Sequence, residues 1–301
     1  MLTGFLDSYL LFLAKSATII IVLMLIITML INTVRQLNSM RIPDQLDVRD
    51  LNARFQNLAD SVRESIGSDA ERKTLHKRRK KEAKTRQKGS TRQPRVFVLN
   101  FKGDLHAHAT ESLREEVSAI LQVAADGDEV LVRLESEGGL VHAYGLAASQ
   151  LARFKPRGVR LTVSVDKVAA SGGYMMACVA DRIIAAPFAV LGSIGVVAQL
   201  PNFNRLLKKL DVDYELHTAG EFKRTLTLFG QNTDEGREKF QEEIDQTHAL
   251  FKAFVGEHRP QLDLSRVATG EHWFGSQALE LKLIDAIETS DDFLLQRADG
   301  S

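Results

Sequence analysis

Residues 161–197 read LTVSVDKVAASGGYMMACVADRIIAAPFAVLGSIGVV. The β-branched run Leu161–Val165 predicts a buried strand, and it stops at the small-residue cluster Ala169-Ala170-Ser171-Gly172-Gly173. A short apolar helix is predicted at Tyr174–Ala180, and a second buried strand at Arg182–Ala186. One serine therefore sits where a strand turns into a helix, between residues too small to cover it. Glycine lets a backbone approach a ligand closely, and a helix N-terminus offers unpaired N–H groups to a developing anion. Such a turn can present a nucleophile together with half an oxyanion hole. A tight strand–helix junction that needs small residues for packing would read the same way.

The alternation continues on both sides. Val96–Phe101 and Glu129–Leu134 read as strands; Thr110–Ala125 and Gly139–Phe154 read as helices. Downstream come a helix at Arg205–Leu210, a short strand at Asp213–Thr218 and a long helix at Asp234–His258. The long helix carries Phe240, Ile244, Phe251 and Val255 along one stripe. A helix at Gly275–Leu281 and an edge strand at Ile284–Ile287 close the chain. Repeated strand–helix order implies parallel strands joined by right-handed crossovers, hence an α/β domain over residues 95–301.

The hydrophobic fraction of 44% is ordinary for a globular protein, but it is unevenly spread. Ser16–Val34 runs 19 residues without a charge. At ~1.5 Å per residue that spans roughly 28 Å, close to the hydrocarbon core of a bilayer. Lys15 and Arg35 can snorkel at its ends, and Asn32–Gln36 is not a signal-peptide cleavage site. Residues 1–35 are therefore expected to be an uncleaved membrane anchor. Residues 36–94 are expected to hold an amphipathic helix within Arg41–Ile66, with Leu51, Phe55, Leu58, Val62 and Ile66 on one face, and a basic linker.

That linker conceals an asymmetry behind the zero net charge. Between Glu71 and Arg95 stand 12 Lys/Arg against 2 Asp/Glu, a local charge of +10. A solvated linker or contact with anionic headgroups beside the anchor is expected. Nucleic acid is not an expected partner, because no aromatic residue lies between Phe55 and Phe97 to stack on bases. The single cysteine, Cys178, reads as a small buried helix residue.

Two glycine-rich turns follow strands, Ser136-Glu137-Gly138-Gly139 and Ala170-Ser171-Gly172-Gly173. Loops at the carboxyl ends of neighbouring parallel strands lie close together, so the N–H groups of Gly138 and Gly172 could hold one carbonyl oxygen. No G-x-G-x-x-G spacing is present, which argues against a dinucleotide site. A nucleophilic serine needs a base. His106, His108, His142 and His217 show no spacing that argues for a Ser-His-Asp triad. A lysine can serve if burial makes it neutral. Lys167 and Lys223 are the two candidates, with a solvated surface lysine as the plain alternative for each.

The ordered set Ser136-Glu137-Gly138-Gly139, Val168–Tyr174, Gly192-Ser193-Ile194-Gly195-Val196 and Gly220-Glu221-Phe222-Lys223 resembles the signal peptide peptidase A family. The likeness is closest to its SohB branch of membrane-anchored serine peptidases and extends to Thr269–Trp273. It implies a ClpP/crotonase-like fold and a Ser-Lys dyad, with Ser171 as nucleophile and Lys223, 52 residues later, as general base. It also implies oxyanion donors at Gly138 and Gly172, and a lysine-orienting hydroxyl at Ser193. The expected partners are a peptide or protein substrate, the bilayer and further copies of the chain. No cofactor and no metal is expected. The family's first glycine loop usually reads Ser-Pro-Gly-Gly; here Glu137 replaces the proline, which loosens the loop and sets a carboxylate against acidic substrates.

The expected activity is endopeptidase cleavage of hydrophobic peptides or membrane-protein fragments, with Phe188, Leu191 and Ile194 lining an apolar groove. An acyl-CoA-handling enzyme of the same fold and a non-catalytic peptide-binding scaffold are the alternatives. The resemblance places the protein in the inner membrane with a periplasmic domain, whereas the basic linker argues for a cytoplasmic one.

Overall fold

The computed structural model describes residues 11–13, 15–24, 26–29, 46–68, 92–220 and 222–299. The basic run through residue 91 and the start of the expected amphipathic helix at 41–45 lie outside them. The chain divides into two compact units, Met1–Ser61 and Val62–Ser301.

In the first unit, the helix Leu11–Met29 has 19 residues and a mean hydropathy of 2.5, long and apolar enough to cross a bilayer. A second helix, Leu51–Ile66, runs past the end of that unit and lies within the expected range. Asp50 accepts a hydrogen bond from the Ala53 N–H at 3.0 Å, so its carboxylate caps the first turn, and residues 46–50 before it are not helical. Leu58, Val62 and Ile66 on its expected apolar face are exposed.

The second unit is built on a five-stranded, wholly parallel sheet in the order β1-β2-β3-β5-β8. Its strands are β1 (Val96–Lys102), β2 (Glu129–Glu135), β3 (Arg160–Val165), β5 (Arg182–Ala185) and β8 (Ala286–Ile287). Val130, Leu131 and Val132 on β2, and Val163 and Val165 on β3, are fully buried. Central parallel strands are covered on both faces, which is why their sequences read as continuous apolar runs. The helices Thr110–Val123 and Val141–Ala152 make the crossovers, burying Leu113, Val117, Tyr144 and Leu151. These repeated β-α units are the architecture expected of a ClpP/crotonase-like domain.

A second sheet was not foreshadowed by any periodicity. Its three strands have three residues each: β4 (Val168–Ala170), β6 (Val190–Gly192) and β7 (His272–Phe274), with β4–β6 parallel and β6–β7 antiparallel. An isolated parallel bridge from Ser136 to Ala169 joins the extension of β2 to β4. The two sheets thus meet at the first glycine loop.

Three local expectations are corrected. Asp213–Thr218 is not a strand; no strand lies beside it among the described residues, and unpaired backbone groups there remain in solvent. The helix after Ser171 spans Gly172–Ala177, starting on the two glycines themselves. A terminal helix, Ser290–Asp299, carries no strong stripe yet buries Phe293 and Leu294.

Ion pairs centred on two carboxylates, Asp128 and Asp285, lock parts of this unit together. Asp128, its side chain fully buried, takes Arg92 at 2.6 Å and Arg95 at 2.8 Å. Asp285 accepts from both terminal nitrogens of the buried Arg259 at 2.9 and 2.8 Å, and from the Ile183 N–H at 2.7 Å. The second lock ties the C-terminal region to β5.

Candidate active site

Ser171 closes the short strand β4 and caps the helix Gly172–Ala177 with φ 52° and ψ −118°. That region is disfavoured for a residue with a Cβ and costs on the order of 1–3 kcal/mol unless neighbours enforce it. They do: the Ser171 N–H donates to the Gly192 carbonyl at 2.8 Å, and the Ser171 carbonyl accepts from the Met175 N–H at 2.9 Å. The side chain is half-buried at the mouth of the turn. A strained serine between strand and helix is how a nucleophile is pushed out of the backbone.

The first glycine loop comes to it directly. A Cβ on Gly138 would lie 2.7 Å from the Gly172 nitrogen and 2.8 Å from Ser171 Cβ, and φ at Gly138 is +92°. Only a glycine fits there. The fold therefore brings Gly138 against Ser171 and Gly172.

The third loop arrives through β6. Gly192, at φ +96°, has no room for a Cβ, which would meet the Trp273 ring at 2.7 Å. Ser193 follows at φ 50°, its N–H donating to the Glu271 carbonyl at 2.6 Å. His248 on the helix Asp234–His258 bonds the Ile194 carbonyl at 3.2 Å. The stretch Thr269–Trp273 thus supports Ser193 beside the serine turn.

Lys223 is not brought into this cluster. It is exposed in an irregular turn, its N–H donating to the Gly220 carbonyl at 3.3 Å, and among the described residues its ammonium bonds neither Ser171 nor Ser193. None of the described residues from 197 to 233 is fully buried, so no core packing pins that segment. Lys167, the other lysine considered, donates to Glu135 at 2.9 Å and is a solvated ion pair. That hydrogen bond, with Lys102 nearby, holds the Glu135 carboxyl below its ordinary range. Burial pushes the Cys178 thiol up to about 12, so it supplies no thiolate.

The expected apolar groove is also corrected. Leu191 and Ile194 are fully buried, because the small second sheet turns them into the core. Phe188 alone of the three stands out, 83% exposed, edge-on to Phe274 at 6.1 Å between ring centroids. At the first glycine loop opens a cleft of about 310 Å³ lined by Lys102, Asp104, Leu105, Glu135, Glu137 and Gly138 among others.

Two side chains that sequence reasoning passed over lie beneath the first loop. Ser136 Oγ and Tyr144 Oη are 2.6 Å apart; Tyr144 Oη donates to the Asp104 carbonyl at 2.8 Å, and the Gly138 N–H donates to Ser136 Oγ at 3.0 Å. Both residues are buried. In the sequence Ser136 reads only as part of a glycine turn, and Tyr144 merely falls inside the predicted helix Gly139–Phe154.

The N-terminal domain of peptidase family S49 matches residues 4–151, and the peptidase family S49 domain matches residues 153–300. The Haemophilus influenzae protein named Probable protease SohB is 52% identical over 99% of this chain and 87% of its own length. The protein of the same name from Buchnera aphidicola subsp. Schlechtendalia chinensis is 51% identical over 97% of this chain and 99% of its own. A solved structure of an alanine mutant of the 1510-N membrane-bound stomatin-specific protease aligns with a TM-score of 0.46 at 14% identity, covering 70% of this chain and 87% of that one. With both S49 domains matched in order and a relative at 52% identity over nearly its whole length, the chain belongs to peptidase family S49, in its SohB branch.

Proposed function

We propose that the protein is a membrane-anchored serine endopeptidase that works through a Ser171–Lys223 dyad. The observation that carries this reading is the convergence of Gly138 and Gly172 on Ser171, a serine whose backbone is held at φ 52°. A neutral Lys223 takes the Ser171 hydroxyl proton as Oγ attacks the peptide carbonyl. The tetrahedral oxyanion is held by the N–H groups of Gly172 and Gly138. The Gly138 N–H shares its hydrogen between Ser136 Oγ and the oxyanion in a three-centre hydrogen bond. Collapse expels the amine, which takes its proton from the lysine. Water, deprotonated by the same lysine, then releases the acyl group from Ser171. Ser193 orients the lysine amine.

A lysine becomes a base only where desolvation disfavours its charge. Lys223 is exposed in the single chain, and so are Phe203, Leu206, Leu210 and Phe222 in the same segment. Association of further copies through this segment would bury both the apolar side chains and the lysine. Residues 1–35 serve as the anchor, 36–94 as the linker and 95–301 as the peptidase domain. The exposed Phe188 and Val197 favour hydrophobic peptides or membrane-protein fragments as substrates.

Labelling with a peptidyl phosphonate followed by mass spectrometry tests the nucleophile. The adduct is expected on Ser171, and no adduct is expected in Ser171→Ala. An adduct on another serine would refute the assignment.

A further inference from the structure

The directions of the hydrogen bonds under the first glycine loop are fixed by chemistry. The Asp104 carbonyl can only accept, so the Tyr144 hydroxyl proton points at it across 2.8 Å. Tyr144 Oη must then accept from Ser136, and Ser136 Oγ in turn accepts from the Gly138 N–H. The result is a one-way chain from Gly138 through Ser136 and Tyr144 to Asp104. Burial raises the Tyr144 phenol above its ordinary pKa, so its proton stays on the oxygen across the working range.

The same tyrosine touches the other half of the site. A Cβ on Gly172 would fall 2.8 Å from Tyr144 Cβ, so the ring packs flush beneath the first residue of the helix that follows Ser171. The Ser136 carbonyl also accepts from the Ala170 N–H at 3.0 Å, holding the strand that leads into Ser171. One buried side chain thus registers Gly172 by its ring and Gly138 by its hydroxyl. The buried hydroxyls have no solvent to substitute for a lost partner.

We propose that Tyr144 and Ser136 are positioning residues for peptide hydrolysis: together they set the first glycine loop against the Ser171–Gly172 turn, so that both backbone donors face one oxyanion. This rests on the reading of Ser171 as the nucleophile. The loop makes its demand in the transition state, where donor alignment counts most. Loss of the tyrosine hydroxyl is therefore read in kcat and not in KM.

The test uses the full chain in detergent, a leucine-rich fluorogenic peptide, and a leucine boronate that forms a tetrahedral adduct. For Tyr144→Phe, kcat is expected to fall about 10- to 100-fold, a part of the 10²–10³ lost with a whole donor. KM should stay within about twofold, and boronate affinity should weaken in step with kcat. Ser136→Ala should show the same split, and the double variant should be no worse than the poorer single one, because both break one chain. Should Tyr144→Phe fail to fold, Ser136→Ala decides by the same split. Unchanged or raised kcat, a loss confined to KM, or additive effects would overturn the proposal. Ser171→Ala separates the two levels. If it is inactive while Tyr144→Phe is fully active, only this inference fails; if it keeps full turnover, the nucleophile reading fails and takes this inference with it.

Discussion

The Ser171 N–H donates to the Gly192 carbonyl at 2.8 Å, which ties the end of β4 to the end of β6 and sets Ser193 next to the serine turn. The geometry around Ser171 is thus imposed by backbone bonds and close glycine contacts more than by side chains. Small substitutions at glycine should therefore cost more activity than many larger changes elsewhere.

Gly138→Ala is the sharpest case. The new Cβ would meet the Gly172 nitrogen at 2.7 Å at a φ of +92°, so the loop must retreat from Ser171. Turnover is expected to fall by at least about 10², the scale of a lost oxyanion donor, with the fold retained. Steady-state kinetics beside a thermal melt separates the two effects.

Asp285→Ala tests stability apart from the site. It leaves the Arg259 guanidinium, only 4% exposed, without its carboxylate partner and frees the Ile183 N–H. Only the arginine of this pair is buried, the Asp285 side chain being 34% exposed, so the lost partner is expected to cost about 1–3 kcal/mol. Urea unfolding should show that loss, while activity per folded molecule is kept.

Acid should loosen the turn that supports Tyr144. The His108 side chain at 2.6 Å, with backbone N–H groups of His108 and His106, lowers the Asp104 carboxyl from 3.8 to about 2. A depressed folded value means the contribution is present above the unfolded pKa of 3.8 and is lost as pH falls from there through about 2. Carbon-detected NMR should find the Asp104 carboxylate titrating near 2, and titrating higher in His108→Ala.

Glu137→Gln should alter selectivity. In the cleft beside Gly138, Lys102 and Lys167 both pair with Glu135, and Asp104 pairs with His108. Among the described residues Glu137 has no such partner, so its carboxylate is expected to repel acidic side chains. The variant should hydrolyse peptides with Asp or Glu near the scissile bond several-fold faster, with little change for neutral ones; a competition assay on a mixed peptide library reads this.

The central sheet was legible because β2 and β3 are buried on both faces and their apolar runs say so. The long helix Asp234–His258 was legible through its stripe, of which Phe251 and Val255 are the buried end. Strands β4, β6 and β7, with three residues each, are too short for a period to show. Gly172 and Gly173 read as a helix breaker, yet they begin a helix because only glycine fits against Tyr144 and Ser136. Asp213–Thr218 alternates like a strand but has no strand beside it among the described residues. Leu191 and Ile194 are close to Ser171 in sequence, and their inward direction was decided by a sheet that the sequence does not announce. Of the site, Ser171, Gly138, Gly172 and Ser193 gather through short strands and tight turns. Lys223 does not, because its segment has no core of its own.

The most direct measurement is turnover of a fluorogenic peptide by Ser171→Ala and Lys223→Ala in the full membrane-bound chain. Both variants are expected to lose activity by about 10³ or more while keeping the wild-type melting profile and oligomeric state. Full turnover in either one would contradict the dyad.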